Sequence, residues 1–226
     1  MFINKLELFD YRGITHLELQ FKPGVNLIVG VNGMGKSSIL DALAILMSGF
    51  IRRVENAEKK SRKFVESDIA NDNSAMMTSI ELTYEDEIIK WSSARKSNKN
   101  IKNLVADAVY RSELSQLNEV TNKIHERVVN QIINRDSTLS LPIAVAYDVN
   151  RAVVDPPILA KGLAEIQLFD VYDQALEQKS GADFNGFFKW FRKLEDIENE
   201  KIRDNHGYRI KELNTVFDTV IIWDAA

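Results

Sequence analysis

Eight consecutive residues, Gly30-Val31-Asn32-Gly33-Met34-Gly35-Lys36-Ser37, carry the spacing G-x-x-x-x-G-K-[ST]. Each fixed position meets a chemical need of a phosphate chain. The glycines allow positive φ and leave no Cβ between backbone and ligand. Successive N–H groups can then converge as an anion nest. Lys36 supplies a cation for β- and γ-phosphates, and the Ser37 hydroxyl can ligate Mg²⁺. A helix opening at this point would add its positive N-terminal end. With glycine at about 7% of residues, the bare pattern arises in roughly 1% of chains this long. An ordinary glycine turn is therefore the minor alternative.

Other chemistry is sparse. There is no cysteine, which excludes disulfides, thiolate metal sites and thiol nucleophiles. His16, His125 and His206 lie far apart and form no HExxH pair. Phosphoryl transfer would need a further acid at the end of an apolar strand to hold Mg²⁺. Val220-Ile221-Ile222-Trp223-Asp224 has that outline, but Ala225 follows the aspartate. Leu213, Val216, Phe217, Val220 and Ile221 also recur at helical steps. The spacing favours the end of an amphipathic helix over a strand with its acid, and no catalytic residue is assigned. The basic run Lys59-Lys60-Ser61-Arg62-Lys63 is diluted by Glu55, Glu58 and Glu66 and reads as a solvated loop. Trp91 and Trp223 read as packing residues, and His16 as an exposed strand residue.

The elements that must position the loop follow from periodicity. Phe2, Leu6 and Leu8, then Leu17, Leu19 and Phe21, alternate with polar residues as in half-buried strands, turning at Tyr11-Arg12-Gly13. After Pro23-Gly24, Val25 to Val29 is a short apolar run suited to a covered central strand. From Ser37 to about Phe50 the step becomes helical, through Ile39, Leu40, Leu43, Leu46 and Met47. Arg52 to Asn73 is polar and reads as a surface connection with at most short helices. Met77 to Tyr84 and Glu87 to Ala94 predict paired strands around Glu85-Asp86, followed by a loop at 97–100. Leu114 to Ile133 predicts a second helix with Leu117, Val120, Ile124 and Val128 on one face. Leu139 to Tyr147 predicts a strand, Pro156-Pro157 stops any helix nearby, and Phe184 to about Asp204 predicts a third helix packed on the sheet.

The 226 residues allow one large domain or two small ones, and 45% hydrophobic with 27% charged is ordinary globular composition. With 29 basic and 33 acidic side chains the formal charge is −4. That excludes coating nucleic acid by bulk charge, though not a local basic patch. The N-terminus lacks the pattern of a signal peptide. The longest mostly apolar stretch, Ile39 to Ile51, carries Asp41 and is too short to span a bilayer. A cytoplasmic protein without a membrane partner is the expectation.

Lys5 to Gly13, followed by Leu27 to Leu43 with its G-x-N-G-x-G-K-S-S-I-L core, resembles the opening of ABC-type AAA ATPases of the SMC and RecF kind. Leu141 to Tyr147 with Asn150-Arg151, and Asp183 to Phe191 with Glu195 to Glu200, are similar to stretches of bacterial predicted ATP-binding proteins. That group includes the ATPases of retrons and other anti-phage systems. The resemblance runs from residue 1 to about 222. It implies ATP and Mg²⁺ as ligands. It places the nucleotide on Gly30, Asn32, Gly33, Met34, Gly35, Lys36, Ser37 and Ser38, and the metal on Ser37. It adds Arg12, and more weakly Arg151, as nucleotide contacts. A glutamine that senses the γ-phosphate is also implied, but neither Gln131 nor Gln167 fits.

The signature segment, the Walker B glutamate and the switch histidine of such ATPases have no counterpart in these residues. The chain thus resembles the N-terminal lobe of a longer ATPase, or a natural short form. The partners implied are a homo- or hetero-oligomeric ATPase face, DNA or an effector protein. The expected fold is an α/β P-loop domain with a mixed sheet, flanking helices and an antiparallel lobe. It is read as one lobe over 1–226: strands, loop and first helix in 1–50, a polar insertion with a hairpin in 51–112, and a helical region with an inner strand at 139–147 in 113–226.

Overall fold

The structure, a computed structural model, describes residues 1–97, 110–134, 141–147 and 217–223. It divides into two compact units, Met1–Asp136 and Ser137–Ala226.

The first unit is built on an antiparallel sheet of four strands: β1 (Phe2–Tyr11), β2 (Ile14–Gln20), β3 (Ala75–Tyr84) and β4 (Glu87–Lys96), in the order β2-β1-β3-β4. The alternation in the sequence sets which side chains are covered. Leu6 and Leu8 of β1 and Ile80 and Leu82 of β3 are fully or almost fully buried, with Leu6 directly opposite Ile80. β2 lies at the sheet's edge, and its apolar positions Ile14, Leu17 and Leu19 are only half-buried. His16 is exposed on β2, as expected, and stacks on Phe9 with ring centroids 4.3 Å apart. The β3–β4 hairpin closes at Tyr84↔Glu87, so Glu85-Asp86 is the turn, with Glu85 at φ 54°.

Helix α1 (Lys36–Val54) is longer than the periodicity alone indicates. Ala42 through Ser48 are all buried, so the helix is covered on every side rather than along one stripe. Phe50 stacks on Trp91 of β4 at 6.1 Å and meets Tyr84 of β3 at the same distance. Helix α2 (Ser115–Ile133) lies along α1 and buries Leu117, Ile124 and Val128. It is joined to α1 by Arg53 Nε donating to Asn118 at 2.8 Å, and by His125 Nδ1 with Val54 O at 2.8 Å. Between α1 and β3 the connection forms two short 3₁₀ turns, Glu58–Lys60 and Glu66–Asp68. Phe64 and Ile69 are buried there, so this polar stretch is not merely a surface segment.

The second unit contains β5 (Leu141–Tyr147) and β6 (Phe217–Trp223), paired in parallel from Leu141↔Phe217 to Tyr147↔Trp223. Two expectations are corrected here. The apolar run at the end of the chain is a strand, not a helix. A short apolar run fits either period, and the β-branched residues Thr219, Val220, Ile221 and Ile222 suit a pleated strand with a partner. Val25 to Val29 forms no ladder among the described residues. Val25, Leu27 and Val29 are instead 81–100% exposed, because no neighbouring strand supplies hydrogen bonds. The predicted helix from Phe184, Pro156-Pro157, Arg151, Gln167 and Asp224 lie outside the described residues.

Candidate phosphate-binding site

The eight-residue loop leads directly into α1. Gly33 (φ 84°) and Gly35 (φ 88°) take the left-handed backbone that the curl requires. Gly35 is the residue that precedes the first turn of α1, and Ile39 N donates to Gly35 O at 3.0 Å to close that turn. A Cβ on Gly35 would stand 3.5 Å from Ile14 Cδ1, so β2 begins against the loop. The first N–H groups of α1, on Lys36, Ser37 and Ser38, have no acceptor within the helix. Gly35 has no side chain with which to cap them.

Lys36 bends back over the loop. Its Nζ donates to Gly30 O at 2.9 Å and to Val31 O at 3.1 Å. The loop therefore closes on itself, with the ammonium held against the Gly30 and Val31 carbonyls. Ser37 is exposed one residue into α1. Gly30, Asn32, Gly33 and Met34 are exposed along the curl, while Gly35 and Ser38 are half-buried. The eight residues assigned to the nucleotide in this segment, Gly30 and Asn32 to Ser38, thus lie together at the start of α1. The segment offers one cation, the uncapped N–H groups at the start of α1 and the hydroxyls of Ser37 and Ser38, while Met34 N donates within the loop to Val31 O at 3.4 Å. That arrangement suits an anion with several oxygens. Ser37 Oγ, a hard oxygen donor, suits Mg²⁺.

Arg12 sits in the turn between β1 and β2, with φ 53°. Its Nε donates to Asp68 Oδ1 at 2.9 Å, and its Nη2 donates to Asp41 Oδ2. Its backbone N–H reaches Asp68 O at 2.7 Å. Burial pulls the guanidinium down, but Tyr11, Asp41 and Asp68 outweigh it and hold the pKa above the ordinary arginine value. Asp41 also accepts from Arg62 Nη2 at 2.5 Å. Arg62, expected in a solvated run, thus turns inward. Neighbouring Tyr11 is fully buried, edge-on to Phe64, and its hydroxyl has no hydrogen-bond partner among the described residues. Burial, then the charge of Asp41, push the phenol up, so it stays neutral.

Sequence reasoning missed Asp41, Arg62 and Asp68. The available signal was Asp41 itself, an acid in an apolar helical run. Gln131 lies on α2, remote in sequence from the loop.

A glycine loop of this spacing opening a buried helix, within a mixed α/β chain, is the arrangement of a P-loop NTPase. The chain belongs to the AAA domain family, whose model matches residues 5–218. It is 26% identical over 205 residues to the retron Vc95 probable ATPase of Vibrio cholerae serotype O1 biovar El Tor, covering 88% of this chain and 38% of that protein. It is 27% identical over 146 residues to the DNA double-strand break repair Rad50 ATPase of Thermoplasma volcanium, covering 62% and 15%. It is 51% identical over 49 residues to the DNA replication and repair protein RecF of Magnetococcus marinus, covering 22% and 13%. The chain therefore spans well under half the length of these relatives. Among the described residues no helix is long and apolar enough to cross a membrane.

Proposed function

We propose that this chain binds ATP through residues 30–38 as the N-terminal lobe of an SMC- and RecF-like ATPase. The observation that carries the reading is the closed loop, with Gly33 and Gly35 at positive φ and Lys36 Nζ over its carbonyls at the mouth of α1. On nucleotide binding, Lys36 exchanges those carbonyls for phosphate oxygens. The N–H groups at the start of α1, on Lys36, Ser37 and Ser38, would donate to the phosphates, and Ser37 Oγ would be the residue to hold Mg²⁺. Hydrolysis would need an acid and a group that orients water. No residue of 1–226 is assigned to either, so the proposal is binding, with turnover requiring a completing segment or subunit.

The retron relative supports a role in bacterial defence, and the names of RecF and Rad50 support one in DNA maintenance with DNA as a partner. The cytoplasm is the compartment that fits either role. Titration of the purified chain with ATP and Mg²⁺ tests the central claim. Lys36→Ala should weaken binding by at least about tenfold, the scale of losing one charge-assisted hydrogen bond. Equal binding by the variant would reject the site.

A further inference from the structure

Asp41 has a role that the loop alone does not explain. It lies on α1 four residues beyond Ser37, about one helical turn up the axis. It is 3% exposed within an otherwise apolar part of the helix. Both of its oxygens are used: Oδ1 accepts from Arg62 and Oδ2 from Arg12. A buried carboxylate with two arginines is a poor way to stabilise a helix, since apolar packing of similar volume does so as well or better. The arrangement does fix one group in space. Arg12 is held by Asp41 at Nη2 and by Asp68 at Nε, while Asp68 is itself anchored by Val65 N donating to Oδ2 at 2.9 Å.

The turn carrying Arg12 is held in a costly conformation. Asp10 (φ 50°) and Arg12 (φ 53°), neither of them glycine, both adopt the left-handed region on either side of Tyr11. Ala70 N donating to Asp10 O at 2.8 Å, and the bond from Arg12 N to Asp68 O, pin that backbone. Of the four charged members, Arg12 has the most exposed side chain, at 35%. Its Nη1 has no acceptor among the described residues. Two residues on, Ile14 packs against Gly35 of the loop.

We propose that Asp41 is a positioning residue: it ties Arg12 to the helix that the phosphate loop opens, so that the remaining edge of the guanidinium is presented to the phosphates of a bound nucleotide. This rests on the reading of residues 30–38 as an ATP site. Asp41 touches no phosphate itself and acts through Arg12.

A double-mutant cycle on the full chain tests it, with ATP affinity as the readout. Asp41→Asn and Arg12→Ala should each weaken ATP binding by about tenfold, and the double variant by about tenfold as well, not a hundredfold, because both remove one device. A structural role for Asp41 would lower stability in both backgrounds and leave the affinity losses additive. Restricted rotation of the Arg12 guanidinium, followed by NMR without nucleotide, should be present in the wild type and released by Asp41→Asn. If Asp41→Asn does not fold, Asp68→Asn removes the other anchor and carries the same cycle. Additive losses, or full affinity in the anchor variant beside weakened Arg12→Ala, would overturn the proposal while leaving the ATP site standing. Equal ATP binding by Lys36→Ala in the same series would instead remove the ATP site, and this inference with it.

Discussion

Tyr11 shows what the cluster around Arg12 does and does not use. Its ring is buried against Phe64 and lies 5.0 Å from the Arg12 guanidinium carbon, but its hydroxyl finds no partner among the described residues. A buried polar group without a hydrogen bond loses hydration and gains nothing in return. Tyr11→Phe should therefore leave stability unchanged or raise it by up to about 1 kcal/mol in urea denaturation. A loss larger than about 1 kcal/mol would mean that the hydroxyl has an acceptor in solution. The same cluster marks the limit of what the sequence discloses about the site. The loop is legible because its chemistry is local: glycines, lysine and serine act within eight residues. The Asp41–Arg12, Asp41–Arg62 and Asp68–Arg12 contacts join residues 29, 21 and 56 positions apart. No periodicity encodes such pairings, so Arg62 looked like one member of a solvated basic run.

At the level of elements the same division holds. β1, β2, the β3–β4 hairpin and α2 each form near their predicted limits from a period written in consecutive residues, while α1 runs on to Val54 and is covered on every side. Residues 25–29 are a short apolar run without a distinctive period, and 217–223 belong to a stretch whose helical step gave way to strand pairing. What they become depends on a distant partner. For Phe217–Trp223 that partner is Leu141–Tyr147. For Val25 to Val29 none lies among the described residues, and Leu27 is 82% exposed. Paired substitutions separate the two environments. Phe50→Ala removes a ring lying against Tyr84 and Trp91 and should cost about 3–5 kcal/mol. Leu27→Asp at its exposed position should change stability by less than about 0.5 kcal/mol. Denaturant titrations of both variants check this, and a cost of several kcal/mol at Leu27 would show that the run is covered by a strand after all.

For the whole molecule, the proposal makes nucleotide affinity and folding stability two readings of one equilibrium. The loop exists only in the folded chain, since Gly33 and Gly35 are brought under Lys36 by the start of α1 and the packing of Ile14. A ligand that binds only the folded state adds RT ln(1 + [L]/Kd) to its stability, about 2.7 kcal/mol at a hundredfold excess over Kd. The unfolding midpoint should therefore climb steadily with the logarithm of ATP concentration once that exceeds Kd. Chelating Mg²⁺ should shrink the climb, because the Ser37 hydroxyl then has no cation to share with the phosphates. Lys36→Ala should flatten it over the same concentrations even if its midpoint without ATP matches the wild type. The formal charge of −4 makes nonspecific attraction of a polyanion a poor explanation for any such climb. Tripolyphosphate serves as the control for charge alone. A climb of equal size in wild type and Lys36→Ala would locate ATP somewhere other than residues 30–38.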